Sequence, residues 1–227
     1  MKMSKRYKKL VDLPKSKTFS KIEEVIDKVK KNCTSKFDES IDISLMLNIK
    51  QKKEEFNLRT VIKLPNGNGK KVRVAVLCEE SKENEAKKSG AELYGSEKLV
   101  NDITAGKIKF DKLIATPAMM SKMGKLGKIL GPKGLMPNPK LGTVTNNIQS
   151  AVKALKSGQI EIKNDKDGNL GASIGKKSFP NNKIKENYDS IMQTIYKEKP
   201  NKIKGDFVMA AYLTSTMGIS YKLKLEK

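Results

Sequence analysis

The chain reads as two domains of different class: an α+β domain built from both termini, residues 1–66 with 157–227, and a Rossmann-like three-layer α/β domain, residues 67–156, inserted into it. Three observations predict this. In the stretch IDISLMLNI, Ile41, Ile43, Leu45, Leu47 and Ile49 alternate strictly with polar or outward positions, as a strand buried on one face requires. KVRVAVLC, residues 71–78, is a near-continuous apolar run, as a parallel strand buried on both faces requires. After Gly158 short alternating runs return, so the two ends share a pattern that the middle lacks.

The elements follow in order. A basic arm spans Lys2 to Lys17, its lysines suited to tracking phosphates or to plain solvation. A helix is predicted over 21–31, with Ser20 and Glu23 at capping-box spacing and Ile22, Val25, Ile26 and Val29 on one face. The strand 41–49 has its expected partner in Leu58 to Leu64, across the polar run 51–57. Pro65-Asn66-Gly67-Asn68-Gly69 then breaks both the chain and its pattern. Helices near 82–89, 97–105 and 146–156, stopped by Gly90, Gly106 and Gly158, alternate with strands at 71–78 and 112–116. Such an order implies a small parallel sheet covered by helices, like one half of a Rossmann fold. Gln159 to Asn164 and Asn169 to Ile174 are expected to form a hairpin about the turn at 165–168. A helix over 183–197 is expected to be capped by Asn182, and Phe207 to Thr214 pairs with Ile219 to Leu225 in a second hairpin. Crossings near Asn66 and Ser157 would let the domains swing.

Charge supplies the first functional clue. The net charge of +22 and isoelectric point near 9.8 make a polyanion the expected partner. No apolar run approaches the roughly 20 residues a membrane span needs, and the start of the chain has no apolar signal core, so a cytoplasmic protein is expected. Cys33 and Cys78 have no metal-ligand spacing and no histidine exists to complete a site, so no metal or cofactor is expected and both read as buried thiols. The missing histidine also removes the usual general base, which argues against an enzyme. Arg6, Arg59 and Arg73 are the three arginines among 47 basic residues. Lysine attracts phosphate as a point charge without arginine's planar fork, so specificity has to come from shape, hydroxyls and backbone. Charge is spread almost evenly over both domains and does not say which one binds.

Residues 120–145, MSKMGKLGKILGPKGLMPNPKLGTVT, organise the middle of the chain. The glycines and Pro132, Pro137 and Pro139 are dense enough to predict a shaped loop in place of a continued helix or strand. Leu126, Ile129, Leu130, Leu135, Met136 and Leu141 give it apolar surface to fold against the domain. A Walker-type phosphate loop fails, because Gly124-Lys125 and Gly127-Lys128 are followed by Leu126 and Ile129, not by Ser or Thr. A nucleotide-binding enzyme fails as well, since residues 74–84, VAVLCEESKEN, contain no glycine.

LGPKGLMPNPKLGTVT, residues 130–145, resembles the signature of the L-one family of large-subunit ribosomal proteins, bacterial type, and KRYKKL at 5–10 resembles that family's amino terminus. The resemblance implies the same discontinuous two-domain fold. It further implies docking on 23S-type large-subunit rRNA as the mobile stalk beside the tRNA exit site, a role in release of deacylated tRNA, repression of its own mRNA, and a free protein that is monomeric. TSTMG, Thr214, Ser215, Thr216, Met217 and Gly218, resembles the family's RNA-recognition turn, with Ile219 where a proline usually stands. By residue type alone a plain hairpin turn is the better fit, and the matching loop upstream reverses that. The hydroxyls suit phosphates and ribose, Gly218 permits close approach, and Met217 offers a pliable apolar contact. In SKFDES, Lys36, Phe37 and Ser40 resemble a second contact, with Phe37 either stacking on a base or buried as core. Lys166, Gly168, Ser173, Lys176 and Ser178 resemble the flanking strands. In the inserted domain Lys125, Lys128, Gly131, Lys133, Gly134 and Lys140 are candidates for contact with RNA or exit-site tRNA. The competing function is a charge-driven, non-specific nucleic-acid chaperone, which needs no recognition turn.

Overall fold

The computed structural model describes residues 4–11, 21–49, 58–200, 203 and 205–225. In chain order the elements are α1 (Lys5–Val11), α2 (Ile22–Lys31), β1 (Ser40–Leu47), β2 (Arg59–Lys63), β3 (Val74–Leu77), α3 (Glu83–Lys88), β4 (Leu93–Gly95), α4 (Glu97–Thr104) and β5 (Lys112–Ala115). There follow α5 (Met120–Met123), α6 (Gly127–Leu130), α7 (Ile148–Lys156), β6 (Gln159–Lys163), β7 (Asn169–Lys176), α8 (Asn181–Lys197), β8 (Val208–Ser215) and β9 (Tyr221–Lys222). The protein is thus mixed α/β. Its chain divides into two compact units, Met1–Gly69 with Ile160–Lys227, and Lys70–Gln159.

In the first unit a four-stranded antiparallel sheet runs in the order β7-β1-β8-β9. The alternation read in β1 decides its faces: Ile41, Ile43, Leu45 and Leu47 are all buried, and Ile43 lies between Ala172 and Leu213 in the register. Val25, Ile26 and Val29 of α2 and Ile184, Ile191 and Ile195 of α8 belong to the same apolar cluster. Asp42, Ser44 and Met46 point to the other face. Three details differ from expectation. Leu58 to Leu64 does not pair with β1; β2 pairs instead with β6, from the far side of the sequence, because β1 is already flanked by β7 and β8. The hairpin expected between 159–164 and 169–174 is reduced to a single bridge, Asn164 to Leu170, since those two segments serve different sheets. Helix α8 starts at Asn181 with Pro180 as its cap, so Asn182 falls inside the first turn. The cap position of α2 is Lys21, and Glu23 forms an ion pair with Lys185 at 2.6 Å; Ser20 lies outside the described residues. Of the basic arm only 4–11 is described, and it is the helix α1 with its flank; the polar run 51–57 also lies outside the described residues.

In the second unit β4-β3-β5 form a parallel sheet. Every residue of β3 is buried, as its continuous apolar run requires, because helices cover both faces. Ala75, Leu77, Leu113 and Ala115 cluster with residues of α4, α5 and α6, while Val74, Val76 and Ile114 cluster with Ala86 of α3 and Ile148, Val152 and Leu155 of α7. The stretch expected to be wholly loop carries two short helical turns, a 3₁₀ turn at Gly124–Leu126 and then α6, before it opens at Gly131. Packing overrides the cost of helical glycine there, since Met123, Leu126 and Leu130 are almost fully buried. Both cysteines are free and buried, Cys33 in the first unit and Cys78 in the second, and burial pushes both thiols above their ordinary range.

Where the chain leaves β2, a buried side chain secures it. Asn187 on α8 accepts the Asn66 N–H at 3.1 Å and donates to the Gly67 carbonyl at 2.8 Å and the Ile174 carbonyl at 2.7 Å. Asn187→Ala strands three backbone groups, so the first unit is expected to lose about 2–4 kcal/mol. Urea denaturation followed by a probe in each unit checks this: the midpoint of the first should fall and that of the second should hold.

Candidate nucleic-acid interface

Antiparallel pairing decides what comes together. The start of β1 lies beside the ends of β7 and β8, with Ser40 opposite Lys176 and Ile41 opposite Ser215. The loop 32–39, the corner 176–178 and the turn 214–218 therefore meet at one end of the sheet. Lys36, Phe37, Ser40, Lys176, Ser178, Thr214, Ser215, Thr216, Met217 and Gly218 all lie there. Lys166 and Gly168 do not: Gly168 accepts the Leu47 N–H at 2.9 Å, at the opposite end of β1, roughly 23 Å away along the strand. Gly168 has φ +85° and its missing side chain leaves room for the Leu47 carbonyl and Ile49, so its task is to turn the chain. Ser173 sits inside the sheet opposite Asp42, with a buried hydroxyl that meets no hydrogen-bond partner among the described residues.

A buried carboxylate binds this end together. Glu39, fully buried, accepts the Ser35 N–H at 3.0 Å through Oε1 and the Met217 N–H at 3.1 Å through Oε2. Burial alone pushes its pKa up, but the hydrogen bonds from the Met217 N–H, the Ser215 hydroxyl and Ser35 outweigh it and hold the carboxyl below its ordinary value. Thr216 Oγ1 accepts the Ser40 N–H at 3.0 Å while the Thr216 N–H donates to the Ser40 carbonyl, also at 3.0 Å. Ser178 donates its N–H and its hydroxyl to the two oxygens of Asp38, at 3.1 and 2.8 Å, and Lys176 Nζ donates to the Asp38 carbonyl. The hydroxyls of Ser215, Thr216 and Ser178 are thus spent inside the protein, fixing the loops.

Two apolar side chains and a lysine stand outward here, next to the exposed Asp38 and Thr216. Phe37 is 53% exposed and Met217 45% exposed, beside an exposed Lys36. Phe37 is not a core residue. Gly218 is required by proximity: a Cβ there would lie 2.3 Å from Ser215 Oγ, the hydroxyl committed to Glu39. On the sheet face away from α2 and α8, a groove of about 660 Å³ runs past Ser44, Met46, Lys163, Asn169 and Tyr212. In the second unit Lys128 is exposed on α6, Lys133 and Lys140 are exposed on the opened stretch with Gly131 and Gly134, and the Lys125 side chain lies outside the described residues. Sequence reasoning missed Glu39, Asp38 and Arg6. A lone glutamate directly ahead of an alternating strand, in so basic a chain, was the available signal for the first.

Residues 29–219 match the family described as "Ribosomal protein L1p/L10e family". The large ribosomal subunit protein uL1 of Pelagibacter ubique is 56% identical over 225 residues, covering 99% of this chain and 98% of that protein. Those of Kosmotoga olearia and Fervidobacterium nodosum are 47% and 46% identical, over 100% and 99% of this chain and 98% and 96% of their own.

Because the Glu39 pKa is lowered on folding, its contribution to stability is complete above the ordinary carboxylate value of 4.5 and is lost as pH falls through the lower, folded value. Urea midpoints of the first unit should therefore drop below about pH 4.5 in the wild type. In Glu39→Gln that acid-dependent drop should shrink, and Gly218→Ala should weaken the unit at neutral pH by displacing the Ser215 hydroxyl.

Proposed function

The chain belongs to the Ribosomal protein L1p/L10e family, and on that premise we propose that it is a structural constituent of the large ribosomal subunit that docks on 23S-type rRNA through the Phe37 and Met217 end of its four-stranded sheet. The observation that carries the docking surface is the exposure of those two side chains on loops fixed from beneath by a buried carboxylate. An apolar side chain held outward on a rigid base in a chain of net charge +22 suits stacking against unpaired bases or ribose, with lysines taking the phosphates. Rigidity matters because an ordered surface loses little conformational entropy when it binds.

In this proposal residues 1–66 and 157–227 are the rRNA-binding domain and 67–156 a Rossmann-like inserted domain. The protein works on ribosomes in the cytoplasm as part of the mobile stalk, makes and breaks no bond, and takes part in the departure of deacylated tRNA from the exit site. Lys125, Lys128, Lys133 and Lys140, with Gly131 and Gly134, face RNA or that tRNA. A hairpin in its own mRNA that imitates the rRNA site is read by the same surface, which represses translation.

Binding to a stalk rRNA fragment at moderately high salt tests the docking surface. Phe37→Ala should weaken it about 10- to 100-fold, the worth of one stacked base, and Met217→Asp should abolish it. Lys133→Ala should leave it nearly unchanged. Equal, salt-erased binding by all variants would replace specific docking with charge-driven association.

A further inference from the structure

The turn 214–218 is also held from helix α1. Arg6 donates Nη1 to Thr34 Oγ1 at 2.8 Å and Nη2 to the Met217 carbonyl at 3.0 Å, so one guanidinium ties the loop before β1 to the turn after β8. Leu10 on the same helix is buried and anchors it, and a cavity of about 290 Å³ lies between Ser4, Arg6, Tyr7 and Thr216 to Gly218. The other two arginines each pair with a carboxylate. Arg59 pairs with Glu161 at 2.7 Å, and Arg73 grips both oxygens of Asp111 at 3.1 and 3.3 Å. In a chain that otherwise uses lysine for positive charge, Arg6 and Arg73 each engage two acceptor oxygens with the planar fork that lysine lacks.

We propose that Arg6 is a positioning residue for RNA docking: its two-point fork fixes the peptide that carries Met217, and thereby the direction in which Met217 is presented, without Arg6 itself contacting phosphate. This rests on the turn being the docking surface. Lysine at position 6 keeps the charge but cannot span Thr34 and Met217 with a planar fork.

The test is Arg6→Lys in the full chain, read in two ways. With ¹³C-methyl-labelled methionine and no RNA present, the Met217 methyl signal should shift or broaden, while that of Met192, buried in the core of the same unit, stays put and certifies folding. On the stalk rRNA fragment, affinity should fall about tenfold, the worth of a lost hydrogen bond to a charged group, with the salt dependence unchanged. An unmoved Met217 signal would overturn the proposal whatever the RNA result. So would, in Arg6→Gln, a salt slope reduced by about 0.7–0.9, the mark of one lost phosphate contact. Met217→Asp keeps the two ideas apart: if it binds RNA like the wild type, the docking surface is misplaced and the role of Arg6 falls with it. If it fails to bind while Arg6→Lys binds fully, only the role of Arg6 is lost.

Discussion

A carboxylate with no access to solvent fastens the end of the sheet on which the proposed docking depends. Glu39 stands immediately before β1 and accepts from both Ser35 and Met217, residues 182 positions apart in the chain but neighbours across two loops. Burying a charge costs several kcal/mol unless hydrogen bonds replace its water, and here backbone N–H groups and a serine hydroxyl do so. The geometry of the turn follows. Thr216 latches onto Ser40, Ser215 turns inward, and Gly218 has no room for a side chain. The Ser215 and Thr216 hydroxyls, which an exposed turn would offer to water or ligand, are used to fix the turn that carries Met217.

The two units solve different burial problems. The antiparallel sheet hides one face under α2 and α8 and leaves Asp42, Ser44, Tyr212 and Asn169 on the other, so its identity is carried by surfaces and ends. The parallel sheet hides both faces, and what it shows is a lysine-bearing stretch stitched to the core by Leu126, Leu130 and Leu141. Glycine and proline in that stretch serve shape more than mobility.

Local signals in the sequence carried much of this. Alternation placed β1, the continuous apolar run placed β3, and the segments 207–214 and 219–225 form the hairpin their pattern suggested, pairing through Tyr212 with Lys222 and Leu213 with Tyr221. Pairing between distant segments was not legible. Leu58 to Leu64 has the pattern of a strand but nothing in it specifies β6 over β1, because periodicity says which face is buried and not which neighbour buries it. The same limit governed the candidate site. The exposure of Phe37 was legible through its polar neighbourhood and Met217 was singled out by the resemblance of its turn, yet Lys166 and Gly168 were grouped with them although they sit at the opposite end of β1. The tethers Glu39 and Arg6 were invisible, since their partners lie in other parts of the chain.

The span of those tethers bears on how the protein is made. Arg6 meets Met217 across 211 positions, and Asn66 meets Asn187 across 121. A nascent chain emerging from its first residue therefore cannot assemble the Phe37 and Met217 surface while only β1 is out. The contiguous second unit, in contrast, contains every strand of its own sheet between Lys70 and Gln159 and can fold early. Until residues 214–218 have been synthesised, β1 lacks the end of β8 and Glu39 lacks two of its donors, the Met217 N–H and the Ser215 hydroxyl. Half-made copies would then be unable to occupy an RNA site that finished ones need.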